Sequence, residues 1–369
     1  MAASPTQVLT LRAQNRATLA RQFLLARENV PPLAVIERLA GLQAQWPKPP
    51  FIGLWTRLES FERADLAHLL ATRQAVRGTM MRGTIHLVSA ADYLAWRGPL
   101  QPMLTRGLRV LGDRAEGLDL EAVAAAARRF LKQGPQTFEV IRDHLTARFP
   151  DVNDRALGHT ARMLLPLVQE PTSATWGFPS ISRFALAETW LDRKVVESEA
   201  VEQLLLRYLA AFGPATAADA QTWSGLQGLK PAFEALRPRL AVFRDERKRE
   251  IFDLPDAPRP DADIPAPVRY LPEFDNLLLA HADRSRVVDE AHKKKVFLPG
   301  LRVAATFLVD GTVSGTWSIE RRRSAATLTA TPFSKLSKKS ADAVLAEGER
   351  LTRFVEDDAD AVDVRLAKS

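Results

Sequence analysis

Apolar residues recur at helical spacing through residues 7–28 (QVLTLRAQNRATLARQFLLARE), with arginines on the opposite face. The pattern predicts a helix with a basic, solvated side. Pro31 and Pro32 open a second helix through Ala34, Val35, Ile36, Leu39 and Leu42. It should stop near Gln43, because Pro47, Pro49 and Pro50 follow and proline biases its predecessor out of the α region. A third helix is predicted over 52–58. Residues 79–88 (TMMRGTIHLV) read as strand with a glycine break, after which Ser89 caps the next helix. Three short helices followed by a β element make a winged-helix pattern.

The middle of the chain repeats itself. Gly134-Pro135-Gln136-Thr137 and Gly213-Pro214-Ala215-Thr216 each follow an amphipathic helix (121–132 and 198–212) and supply a threonine cap for the next. A further helix near 153–165 or 230–237 and a hairpin-like segment complete each copy, so the winged-helix pattern is met twice more. Residues 253–270 (DLPDAPRPDADIPAPVRY) read as a linker. Beyond it the period changes to two. Residues 303–309 and 312–319 flank Asp310-Gly311, a strong hairpin signal; 325–331 adds a strand and 335–354 a closing helix. The C-terminal part is expected to be a small β structure of barrel type with one helix.

Composition narrows the function classes. The 369 residues include 51 Lys+Arg against 44 Asp+Glu, a net charge of +7, and no cysteine. Disulfides, thiolate zinc sites and cysteine nucleophiles are therefore excluded. No apolar run approaches the roughly 18 residues that span a membrane. The opening MAASPTQVLT is too polar for a signal peptide, so a cytoplasmic protein is expected. The basic balance suggests a polyanionic partner, with arginine prevalent early and lysine concentrated near 293–339. Phosphate-loop, dinucleotide, zinc-protease and nucleophile-elbow motifs are missing, and the six histidines lack ligand spacing; no metal or cofactor is expected.

Against that background Gln43-Ala44-Gln45-Trp46-Pro47 stands out. In extended backbone both amides share one face, whereas in a helix they diverge by about 200°. The prolines favour the extended form; the alternative is a solvated helix end. Lys48, three residues on, is a candidate Schiff-base lysine or a surface charge. If the polyanionic partner is a nucleic acid, Trp46 stacks on a base or packs beneath its loop, and His86 faces DNA or is a satisfied core histidine. Arg82 joins the candidate DNA contacts. His281 and Asp283 fit a structural pair, and the Asp310-Gly311 tip either probes a groove or closes the β structure. Arg321, Arg322, Arg323, Lys335, Lys338 and Lys339 are candidate phosphate contacts, or otherwise a solvated face. Residues 153–165 offer Asn153, Asp154, Arg155, His159 and Arg162 to a groove, whereas 229–236 offer almost nothing, so at least one winged helix is expected to serve as scaffold.

Several of these segments carry a resemblance. Gln43-Ala44-Gln45 after a basic N-terminal helix, GTMMRGTIHLV (78–88), LPEFDNLLLAHADR (271–284) and Gly311…Gly315-Thr316-Trp317 together resemble the AlkZ/YcaQ winged-helix DNA glycosylases, over essentially the whole chain and in the same order. The nearest branch is AlkZ, the self-resistance glycosylases of bacteria that make DNA-alkylating antibiotics; the YcaQ branch carries Q-x-D where this chain has Q-x-Q. The resemblance implies an α+β fold of three tandem winged helices scaffolded by a C-terminal β-barrel with a closing helix, forming a concave basic surface. It divides the chain into winged helices at 1–118, 119–195 and 196–254, then linker and barrel at 255–369. It also implies a monofunctional glycosylase that excises cationic alkylated purines and unhooks interstrand crosslinks, with Gln43 and Gln45 catalytic; Met80 and Met81 then either wedge near the lesion or belong to the core. The partner would be double-stranded DNA, met by a monomer at the nucleoid. The rival expectation is a non-catalytic winged-helix protein, either a regulator or an adduct-sequestering factor.

Overall fold

The computed structural model describes residues 7–198 and 200–367 and has mixed α and β structure. Residues 1–6 of the polar opening segment, Glu199 of the helix expected over 198–212, and residues 368–369 lie outside the described residues.

The first helix is shorter than its periodicity, Leu11–Arg21, and is capped by the Thr10 hydroxyl, which accepts from the Ala13 N–H at 3.1 Å. Of its arginines only Arg12 is exposed. Arg16 and Arg21 are fully buried, Arg16 at 2.5 Å from Asp310 and Arg21 at 2.7 Å from Asp253. The basic face is therefore an internal seam, since carboxylates more than 200 residues away in the chain meet it. The second helix, Pro32–Arg38, ends where Ala40 and Gly41 take positive φ (53° and 85°). That reversal turns the chain into a short strand, Leu42–Gln43, so the Q-x-Q segment begins extended. The third helix is Pro49–Trp55.

Residues 79–88 form a hairpin in place of one interrupted strand. Ala75–Thr79 and Ile85–Ser89 pair antiparallel around the turn Met81–Gly83, in which Arg82 has φ 57°. They belong to a six-stranded sheet in the order 42–43, 85–89, 75–79, 167–169, 183–186, 136–137. Each GPxT run follows a helix (Leu120–Leu131, Glu202–Phe212) and precedes two more (Phe138–Arg148 and Asp154–Leu164; Ala217–Ser224 and Lys230–Leu236). Thr137 and Thr216 cap the helices they precede. A strand pair closes each run: Leu167–Gln169 with Arg183–Leu186, then Ala241–Asp245 with Glu250–Asp253.

The C-terminal strands form an open sheet, and the expectation of a barrel is corrected. Its order is 269–271, 306–309, 312–322, 325–332, 361–366, and the two outer strands do not pair with each other. The helix Lys338–Val355 explains the gap. Val344, Leu351 and Val355 occupy one core with Tyr270, Phe307 and Leu328 of the sheet, so the sheet curls around a helix and has no room to close on itself. The Asp310-Gly311 turn has positive φ at both residues (46° and 79°), the geometry of a two-residue hairpin. It docks onto the first helix: Asp310 accepts from Arg12 and Arg16, and the Gly311 carbonyl accepts from Asn15. It is a structural tip.

A buried ion pair ties this sheet to the first helices. Arg57 donates to both carboxylate oxygens of Asp275 at 2.9 Å, and both side chains are withdrawn from water. Asp275→Ala is expected to cost about 3–5 kcal/mol, because it strands a buried guanidinium. Urea unfolding checks this, and a midpoint unchanged from the parent protein would refute it.

Candidate active site

The Q-x-Q segment is held from three sides. The Gln43 N–H donates to Asn276 Oδ1 at 3.1 Å, and Asn276 Nδ2 in turn donates to the carbonyls of Gly41 and Leu39. The Ala44 N–H donates to the Ile85 carbonyl at 2.8 Å, which carries the extended backbone one residue further. Arg77 braces the other side, donating to the Ala44 carbonyl at 2.9 Å, to the Gln45 carbonyl at 3.2 Å and to Gln169 Oε1. A bend then begins at Gln45 and leads to the prolines.

The two amides differ in what they have left to offer. Gln43 is buried, and its Oε1 accepts from Arg82 Nη2 at 2.7 Å. Gln45 is half-buried, and its Oε1 is shielded from solvent without a hydrogen-bond partner among the described residues. An orphaned carbonyl in such surroundings is costly unless a donor arrives to fill it.

Arg82 is the joint between this segment and distant chain. Nη1 donates to the Trp223 carbonyl in the last turn of the helix Ala217–Ser224, where the helix dipole favours a cation. Gly225 packs so tightly on the Arg82 backbone that an added Cβ would lie 3.1 Å from its Cα. Burial lowers the Arg82 pKa to about 10, and among the described residues no carboxylate pairs with it. Both arms of the Arg82 guanidinium are thus engaged within the protein. His86 is likewise a core residue. Its Nδ1 lies 3.1 Å from the Thr84 carbonyl, so Nδ1 carries the proton and the Nε2 lone pair faces Arg82 Nη2 at 3.5 Å. Burial, then the Arg82 charge, pushes its pKa down to about 3.

A stability prediction follows from His86. The unfolded ring binds a proton near its ordinary value of 6.5, while the folded ring resists until about 3. Its contribution is complete above pH 6.5 and is lost as pH falls toward 3. The Tm of the parent protein should drop more between pH 7 and pH 5 than that of His86→Gln; parallel losses would contradict the assignment.

The other sequence candidates are spread around this centre. Trp46 is 56% exposed, so it does not pack beneath its loop. Met80 and Met81 are in the core. Lys48 Nζ sits 3.7 Å from Glu356 and 5.3 Å from the Trp176 ring centre, with burial lowering its pKa. Glu356 also takes Arg321 at 3.3 Å, so Arg321 is drawn toward Lys48, and Asp358 pairs with it as well. Arg322 pairs with Glu320 at 3.0 Å; Arg323, Lys335, Lys338 and Lys339 are exposed. His281 and Asp283 do not pair: His281 bonds the Phe212 carbonyl at 3.0 Å, and Asp283 takes Arg247 and Arg249.

Sequence reasoning missed Asn276, Arg77 and Arg284 as contributors. Arg162 and Arg284 are half-buried and have no carboxylate partner among the described residues. Arg162 lies near Arg77, reaching Thr79 Oγ1 at 3.4 Å, and Arg284 lies near Arg82, over the Phe297 ring. Two uncompensated cations flanking the glutamines suit the phosphates of a nucleic acid. The signal for Arg284 and Asn276 lay within LPEFDNLLLAHADR, but nothing local distinguishes either residue from a surface polar group.

Among the described residues no helix is long and apolar enough to cross a membrane. A family of DNA glycosylases described as AlkZ-like matches residues 36–354. An interstrand DNA cross-link repair glycosylase of Streptomyces sahachiroi is 25% identical over 376 residues, 96% of this chain and 97% of that protein. The solved structure of Streptomyces sahachiroi DNA glycosylase AlkZ superposes with a TM-score of 0.81 at 21% identity, covering 98% of this chain and all of that one. With that family match spanning most of its length and including the Q-x-Q segment, the chain belongs to the AlkZ-like DNA glycosylases.

Proposed function

We propose that the protein is a monofunctional glycosylase that hydrolyses the N-glycosidic bond of cationic alkylated purines, N7-alkylguanine and N3-alkyladenine, including those joined in interstrand crosslinks. The observation that carries this reading is the buried, unpartnered carbonyl of Gln45 beside the Arg82-bound amide of Gln43. Alkylation at N7 or N3 places positive charge on the base, which can leave without being protonated. The C1′–N9 bond breaks with its electron pair passing to the purine, and the sugar takes on oxocarbenium character. A water held by Gln45 Oε1 then forms the new C1′–O bond and releases its proton to solvent. An amide neither ionises nor acts as a strong base, so uncharged lesions such as uracil should be poor substrates.

Arg162 and Arg284 are read as contacts to the DNA backbone, and the helix–GPxT–helix–helix–strand runs as winged helices that carry the site. The relative's role in crosslink repair supports including crosslinks among the substrates, in an enzyme that protects its host from a DNA-alkylating product.

The test is an end-labelled duplex carrying one N7-alkylguanine, incubated with protein in metal-free buffer and then treated with alkali. Scission above spontaneous depurination, abolished in Gln43→Ala/Gln45→Ala, is expected. Scission that survives the double substitution would keep the enzyme and discard the mechanism. No excess scission on this or a crosslinked duplex would favour an adduct-sequestering protein.

A further inference from the structure

The turn that follows the closing helix Lys338–Val355 carries three acids in a row, Glu356, Asp357 and Asp358. Each holds a cation from a distant part of the chain. Glu356 lies 3.7 Å from Lys48 Nζ and 3.3 Å from Arg321, Asp357 pairs with Arg63, and Asp358 pairs with Arg321. Lys48 stands three residues after Gln45, where helix Pro49–Trp55 begins. Lys48 and Arg63 also meet over one ring, 5.3 and 5.0 Å from the centre of Trp176. The three cations therefore form one patch beside the Q-x-Q segment.

The acids are the outer layer of this patch. The Asp357 and Asp358 side chains are 59% and 76% exposed, whereas their partners Arg63 and Arg321 are 19% and 30% exposed. The joint beneath does not depend on these pairs. Phe354 stacks on Trp55 at 5.7 Å and meets Phe61 at 5.9 Å, so apolar contact already ties the closing helix to the first helices. Ion pairs at the exposed rim of such a joint add little stability and exchange readily. Their spacing is also suggestive. Consecutive Cα atoms stand ~3.8 Å apart, so the turn presents negative charge about as densely as a DNA strand, with one charge per roughly 3.4 Å of helix axis.

We propose that the 356–358 turn covers a contact site for the DNA backbone, and that Lys48, Arg63 and Arg321 exchange its carboxylates for phosphates when a duplex binds. The proposal rests on the DNA-glycosylase reading and adds a masked surface to it. Without the turn's charges the three cations would meet DNA directly. With them, every duplex must displace an internal competitor before it settles against the stretch that leads from Gln45, and undamaged DNA is held more weakly as a result.

The experiment measures binding of the full-length protein to a labelled undamaged duplex by fluorescence anisotropy, at about 50 to 200 mM salt. Glu356→Gln/Asp357→Asn/Asp358→Asn keeps the side-chain shapes and is expected to lower Kd about tenfold, with the slope of log affinity against log salt steeper by two to three, or about 0.9 for each cation released. Asp358→Asn alone should steepen it by about one. The same triple neutralisation in a Lys48→Ala/Arg63→Ala/Arg321→Ala background should tighten binding less than twofold, because the cations it unmasks are missing. Equal tightening in both backgrounds would reduce the effect to net charge and overturn the proposal. So would an unchanged Kd with a lowered Tm, which would make the turn a structural clasp. A parent protein that binds no duplex, alkylated or not, overturns the DNA-glycosylase reading and this one with it.

Discussion

Gln45→Ala is expected to slow single-turnover excision of an N7-alkylguanine about 100-fold while DNA affinity stays nearly constant. Among the described residues Gln45 owns the one amide carbonyl of the pair that is buried and free, so in the proposed mechanism its loss would leave the attacking water without a fixed acceptor. Gln43→Ala should cost less, about tenfold, because the Gln43 carbonyl already accepts from Arg82 and in the proposed mechanism only orients its neighbour. Gln45→Glu keeps an acceptor in place and should retain most of the rate on cationic adducts. Parallel rate and affinity measurements on the three variants check the order. A Gln43→Ala protein slower than Gln45→Ala would reverse the two roles.

Arg82→Ala is expected to lower kcat about 10- to 100-fold with KM little changed. The guanidinium spends one nitrogen on Gln43 and the other on the Trp223 carbonyl, so it positions the amide and is not free to take a phosphate. Arg82→Gly separates this role from folding. Arg82 has φ 57°, a conformation glycine adopts without strain, so the turn should survive while the rate falls. Arg82→Lys keeps the charge but lacks the second arm, and should recover only part of the loss. Arg284→Ala is the contrasting case: KM should rise and the slope of log affinity against log salt should fall by about one. Arg82→Gly with raised KM and unchanged kcat would show that Arg82 contacts DNA directly.

Much of the local architecture was legible before the structure. Helical periodicity, threonine caps at the two GPxT runs and the Asp310-Gly311 turn depend on residues a few positions apart, and each recurs in the fold. The extended start of the Q-x-Q segment was likewise readable from the prolines beyond it, and strand Leu42–Gln43 bears that out. The closing helix predicted over 335–354 is found at Lys338–Val355. Element ends were less legible. Arginine-rich helix faces gave no sign of where solvent ends, which is why the first helix was read as basic on its outside and proves to be paired within.

By itself, then, the sequence determined the alternation of helix and strand, the turns and the Q-x-Q segment, because these follow from short-range sterics, capping and patterning. Tertiary structure decided the rest. It set which carboxylate meets each arginine, as with Arg21 and Asp253, 232 positions apart. It kept the C-terminal sheet open by placing a helix against it. It also distinguished two glutamines that look alike in the sequence, by bringing Arg82 to one and leaving the other's carbonyl free. Each of these depends on desolvation and on partners supplied by remote chain, and no local pattern encodes which remote residue arrives.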